Sequence, residues 1–92
     1  MKVYIVCYDI SDDDTRLQVS KTLGKYGDRV QKSVFEVRLR SDAELLQLRR
    51  ELEAIVGDDP EVRMYRLCER CRQESHTLTG EKVAVYPATI II

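Results

Sequence analysis

Four carboxylates, Asp9, Asp12, Asp13 and Asp14, crowd into six residues at the end of the apolar run Val3-Tyr-Ile-Val-Cys-Tyr8. A carboxylate can ligate a cation, move a proton or start a helix, and position separates these uses. Asp9 closes the run, which places it at the rim of a sheet where a strand holds it rigidly. Ser11 with Asp14 three residues on resembles a capping box, and Asp12 and Asp13 suit the positive end of a helix dipole. Chemistry is therefore assigned to Asp9, and helix initiation to the later three. One carboxylate per chain is thin equipment for catalysis, but near a two-fold axis it meets its copy. Two facing Asp9 carboxylates repel, and a Mg²⁺ ion between them relieves the repulsion and retains waters. Such an ion activates water or stabilises a phosphodiester transition state.

Cations supply the anion side of this chemistry. Arg16, Lys21 and Lys25 fall in the first predicted helix, Arg29 and Lys32 follow it, and Arg38 and Arg40 end the next strand. Together they form a candidate stripe for a DNA or RNA backbone that reads no bases; the alternative is a set of solvated helix cations. Tyr8 and Phe35 are candidate stacking platforms, although strand aromatics more often belong to a core. Cys68-Glu-Arg-Cys71 with His76 offers three zinc-type ligands, or a CxxC redox pair. Zinc wants a fourth ligand and a second paired motif, and a thioredoxin-like or metallochaperone pair belongs after the first strand, so neither use is assigned. Cys7 reads as a small buried hydrophobe.

The elements that must position these residues follow from periodicity. Residues 2–8 alternate Val3, Ile5, Cys7 with Tyr4, Val6, Tyr8, both sets largely apolar, which predicts a strand covered on both faces. A helix is expected from Asp12 to Tyr26, inward by Val19, Leu23 and Tyr26 and stopped by Gly27. Val30–Val37 reads as a strand, or a strand pair kinked at Lys32-Ser33. Ser41-Asp-Ala-Glu44 opens a second helix with the stripe Leu45, Leu48, Leu52 and Ile55, ended by Gly57 and Asp58-Asp59-Pro60. Glu61–Cys68 is a further strand, residues 69–80 a polar connector, and Lys82–Ile92 a strand-prone tail that Pro87 confines to an edge. The order predicts one α+β domain over residues 1–92, a ferredoxin-like βαββαβ sandwich with a core of about 1–68 and an extra C-terminal strand within 69–92.

Both helices then cover one sheet face and leave the other bare and apolar, with Tyr, Val and Leu side chains. Such a face predicts a homodimer packed sheet to sheet, the tail adding to the partner's sheet edge. The alternative is a monomer whose tail folds back over its own sheet.

Bulk properties exclude more than they assign. Ninety-two residues allow little beyond two helices on a small sheet, and 15 basic against 16 acidic residues give a net charge of −1, so an anion site must be local. The N-terminus is too short for a signal sequence and no segment reaches membrane-spanning length, so no membrane association is expected. Three cysteines, odd in number and sparse, fit a reducing cytoplasm.

Three segments in order, VYIVCYDISDDDTR, GDRVQKSVFEV and VRMYRLCERC, closely resemble the CRISPR-associated Cas-two family, small adaptation proteins that partner the spacer integrase. The resemblance runs from Met1 to about Cys71. It implies a ferredoxin-like homodimer acting in CRISPR spacer acquisition, with the family's strand-end Mg²⁺ ligand at Asp9 and Tyr8 before it. The family's first-helix basic residue falls on Arg16, and its cleft and kink residues on Arg29, Gln31, Ser33 and Phe35. It further implies a metal-dependent endonuclease acting on single-stranded RNA or double-stranded DNA, or a non-catalytic scaffold for duplex DNA bound to the Cas-one integrase. A related toxin ribonuclease or a small-molecule regulatory domain on the same fold is the remaining alternative.

Overall fold

The computed structural model describes residues 1–58 and 61–85. Its elements are β1 (Lys2–Tyr8), α1 (Asp13–Gly24), β2 (Gly27–Gln31), β3 (Val34–Leu39), α2 (Asp42–Val56), β4 (Val62–Leu67) and a short α3 (Glu69–Gln73). The strands form one sheet in the order β2-β3-β1-β4, every neighbouring pair antiparallel. That is the ferredoxin-like arrangement. The core joins Val6 and Tyr8 of β1, Val19 and Leu23 of α1, Phe35, Val37 and Leu39 of β3, and Leu48 and Leu52 of α2. The expected stripe of α2 is therefore the packed one, with Leu45 and Ile55 at its margins.

Caps set where the helices begin. Asp12, rather than Ser11, caps α1: its carboxylate accepts from the Thr15 backbone N–H at 2.9 Å and from the Thr15 hydroxyl at 2.7 Å. A carboxylate accepts more strongly than a hydroxyl at the positive helix end, so the cap moves one residue along. Those same bonds, the backbone one foremost, hold the Asp12 carboxyl below its ordinary pKa. Ser41 caps α2 as expected, accepting from the Glu44 N–H at 3.2 Å, but the Glu44 side chain reaches back to the Arg40 N–H at 3.1 Å. Gly57 ends α2 at φ 69°, a backbone conformation in which glycine pays no Cβ penalty.

Gly27 has a different role from the expected helix stop. α1 ends at Gly24 with Lys25 as its C-cap, and Gly27 opens β2, where a Cβ would stand 1.9 Å from the Glu36 carbonyl oxygen. Glycine is needed there because two backbones meet. Of the two readings of 30–37, a strand or a strand pair kinked at Lys32-Ser33, the structure has the pair: a hairpin turned at Lys32-Ser33 and bulged between Arg29 and Gln31, with β2 starting earlier, at Gly27. The predicted connector contains α3, and Lys82 of the expected tail strand forms a single antiparallel bridge with His76. Pro87 and the remainder of that strand lie outside the described residues, as do Asp59 and Pro60.

The register also corrects the expected apolar bare face. Tyr4, Val6 and Tyr8 point to the helices. Strand pairing puts Val3 beside Arg38 and Leu67, Ile5 beside Glu36 and Tyr65, and Cys7 beside Val34 and Arg63. That face is thus a narrow apolar strip bordered by charge, with Val3 buried at one end and Tyr65 half exposed beside Ile5.

Candidate functional site

Four pieces of chain converge at the C-terminal end of β1: the loop into α1, the Lys32-Ser33 turn, and the starts of α1 and β4. The Tyr8 N–H donates to the Ser33 carbonyl and the Asp9 N–H to the Glu61 carbonyl, both at 3.1 Å. Asp9 is therefore pinned by its backbone between the hairpin turn and β4 while its side chain stays exposed. The carboxylate thus stands at the end of β1 and faces solvent.

On the helix side of the same end lies a cavity of about 300 Å³ lined by Tyr8, Asp13, Arg16, Leu17, Ser20, Arg29 and Lys32. Three cations face one carboxylate there, so the cavity favours an anion. Tyr8 and Phe35 stack with centroids 6.4 Å apart and planes 26° apart, and the Arg29 guanidinium carbon lies 5.4 Å from the Phe35 centroid. A guanidinium over an aromatic face is held by the ring quadrupole, and its N–H groups stay available at the edge. The bulge after Arg29 keeps it in register with Phe35 on the helix side while Val30 turns outward. Tyr8 is 5% exposed, and its buried hydroxyl has no hydrogen-bond partner among the described residues. A buried hydroxyl without a partner is costly, and here it belongs to a residue that lines an electropositive cavity.

Arg16 lines the cavity but is already engaged. Its guanidinium donates to the Ile10 carbonyl at 3.0 Å, to the Ser11 carbonyl at 3.4 Å and to the Asp13 carboxylate. It therefore fixes the β1–α1 loop that follows Asp9. Asp13, read from the sequence as a helix starter, is also Arg16's partner; their three-residue spacing is the signal that could have shown it.

The predicted basic stripe divides. Arg16, Arg29 and Lys32 come together, whereas Lys21 and Lys25 do not line the cavity. Lys25 pairs with Glu51 of α2, Arg38 pairs with Asp28 at 2.9 Å, and Arg40 approaches Glu44 at 3.7 Å. Cys68, Cys71 and His76 build no metal site: among the described residues no group of three or more His, Cys, Asp and Glu side chains is placed to hold an ion.

A family model described as CRISPR associated protein Cas2 matches residues 1–75. This chain belongs to the Cas2 family. It is 44% identical over 73 residues, 77% of each chain, to a protein of Chloroflexus aurantiacus named CRISPR-associated endoribonuclease Cas2 1. It is 40% identical over 99% of its length, and 75% of the relative's, to CRISPR-associated endoribonuclease Cas2 4 of Rhodospirillum rubrum. A solved chain of a partial Cas6-RT-Cas1–Cas2 complex superposes with a TM-score of 0.86 at 34% identity, covering 94% of this chain and 100% of that one. Streptococcus pyogenes Cas2 superposes at 0.68 with 28% identity, over 83% and 98% of the two chains. The Cas2 match spans β1 to α3, so every residue of the cavity and Asp9 fall inside it.

Proposed function

We propose that this Cas2 chain acts in CRISPR spacer acquisition as a cytoplasmic, nucleic-acid-binding homodimer that cleaves phosphodiester bonds in single-stranded RNA or double-stranded DNA with Mg²⁺. The observation that carries this reading is one end of β1, where an exposed, backbone-pinned Asp9 adjoins a cavity holding Arg29 and Lys32. Curated relatives named endoribonucleases support the reaction class. The likeness to a chain of a complex containing Cas1 supports the integrase as a second partner.

The donor set fits magnesium in a dimer. Mg²⁺ takes one or two carboxylates and otherwise water, and Asp9 supplies one exposed carboxylate per chain. Asp9 and its copy would hold the ion, which supplies a Lewis acid for the phosphodiester and an acidified water. The other residues act on the substrate backbone. Arg29, braced on Phe35, and Lys32 bind a phosphate; the Tyr8 hydroxyl donates to a phosphate oxygen and gains the partner it lacks. Arg16 holds the loop that keeps Asp9 in place. No contact in this set reads a base, which accommodates RNA and DNA alike.

A second reading is a non-catalytic duplex scaffold bridging integrase subunits, in keeping with a site where, among the described residues, no three His, Cys, Asp or Glu side chains are grouped to hold an ion. Cleavage of labelled single-stranded RNA and duplex DNA by wild type and Asp9→Ala, with Mg²⁺ or chelator, separates the two. The expected result is a loss of at least about 100-fold in Asp9→Ala, since outer-shell changes alone cost 10–100-fold. Equal cleavage by both proteins would end the enzymatic reading, and absent cleavage with retained duplex binding would select the scaffold.

A further inference from the structure

Cys68 and Cys71 lie outside the site just described, and both thiols are exposed. Cys68 is the N-cap of α3 and Cys71 sits in its first turn, three residues on. His76 turns elsewhere, its Nδ1 standing 2.7 Å from the Thr77 carbonyl oxygen. What remains of the CxxC…His pattern, among the described residues, is a dithiol without a third ligand.

We propose that Cys68 and Cys71 are a reversible dithiol/disulfide pair that reacts with small-molecule disulfides, Cys68 attacking and Cys71 resolving. The Cys68 thiolate attacks one sulfur of the small disulfide; its S–S bond breaks, a mixed disulfide forms on Cys68, and one small thiolate leaves. Cys71 gives up its proton and attacks the Cys68 sulfur, forming the Cys68–Cys71 bond and releasing the second small thiol. The protein loses two hydrogens and two electrons, and the small disulfide gains them as two thiols.

Three features fit this division of labour. The backbone N–H and thiol of Cys71 hold the Cys68 thiol below its ordinary pKa, and the neighbouring Cys68 sulfur pushes the Cys71 thiol up. The nucleophile is thus the cysteine that ionises first, and it is open to a small reagent. Cys68 at the extended N-cap and Cys71 in the first turn are separated by one turn of chain, and a disulfide needs Cβ atoms roughly 3.5–4.5 Å apart, so closure asks only for a tightened turn. That turn is tied onward: the Ser75 hydroxyl donates to the Cys71 carbonyl at 2.7 Å, and Arg72 Nε donates to the Ala84 carbonyl at 3.1 Å. Cys7, half-buried in β1, is an internal control.

The test equilibrates the full chain with mixtures of oxidised and reduced glutathione, quenches with acid, and maps adducts by intact mass and peptide analysis. Wild type should pass from three free thiols to one without accumulating a glutathione adduct, and reductant should restore all three. Cys71→Ser should trap glutathione on Cys68, and Cys68→Ser should react several-fold more slowly than wild type. A persistent glutathione adduct on wild type, disulfides between chains, or two variants that react alike would overturn the proposal.

Discussion

The two ends of the sheet treat their cations differently. Towards the N-terminal end of β1, charge is matched: Lys2 pairs with Asp42, Arg38 with Asp28 and Arg40 with Glu44, while Lys25 at the end of α1 pairs with Glu51. At the C-terminal end, Arg29 leans on an aromatic ring, neither Arg29 nor Lys32 belongs to a described ion pair, and the buried Tyr8 hydroxyl is unpartnered. A chain with a net charge of −1 thereby concentrates positive potential at one place. The matched end resembles a finished surface. The other resembles a socket waiting for an anion.

The largest test of this contrast removes the aromatic brace. Phe35 is 3% exposed within the core, so Phe35→Ala should cost about 3–5 kcal/mol of stability, seen as a lowered urea midpoint, and should release Arg29. Unchanged stability would mean that the Tyr8–Phe35 stack is not the floor of the site. Next comes charge reversal. Arg29→Glu with Lys32→Glu should flatten the salt dependence of duplex or RNA binding by roughly 2 in log–log slope, at about 0.9 per lost phosphate contact on duplex. Lys21→Glu with Lys25→Glu should leave it unchanged. If the second pair flattens the slope as much as the first, the predicted continuous stripe is right and the division between the two ends is wrong.

A smaller effect is expected at Tyr8. Tyr8→Phe deletes a buried hydroxyl that has no partner, so the free protein should gain on the order of 1 kcal/mol of stability while phosphate-backbone affinity falls. Thermal denaturation with and without oligonucleotide reads both signs in one experiment. A destabilised Tyr8→Phe variant would mean that the hydroxyl is satisfied in the free protein and is not held for a ligand.

What the sequence disclosed and what it hid follow a physical line. The apolar run ending at Asp9, the S-x-x-E box at Ser41 and the inward stripe of α2 are local patterns, and the folded chain keeps them. Misplaced features depended on pairing. Gly27 looks like a helix stop until β2 is laid against Glu36. Arg29 is a candidate phosphate contact in the sequence, but its seat on Phe35 is visible only once the bulge sets the register. The parity that turns Tyr8 to the helices, leaving Cys7 and Ile5 on the open face, is set by the sheet rather than by the alternation, which is apolar on both sides. α3 carries no apolar period in Glu-Arg-Cys-Arg-Gln, so periodicity had nothing to find.

The matched end should be the quieter one, and pH measures how quiet. Burial first, then the Glu51 hydrogen bond and charge, raise the Tyr26 hydroxyl to about 12 from 10.0. A raised folded value favours the protonated form, so this contribution is complete below pH 10 and is lost as pH climbs from 10 to 12. Glu51 runs the other way: the Lys25 hydrogen bond, then that of Tyr26, hold its carboxyl below its ordinary 4.5, so its contribution is present above that value and fades as acid passes through the folded one. Urea midpoints of wild type should therefore hold a plateau between these limits and fall on either side. Tyr26→Phe should blunt the alkaline fall, and Glu51→Gln should blunt the acid fall and make the alkaline one smaller, ending at lower pH. The informative quantity is the difference between variant and wild type. An alkaline limb identical in Tyr26→Phe would show that the α1–α2 junction rests on packing and not on this proton, leaving the two ends of the sheet less different than their charges suggest.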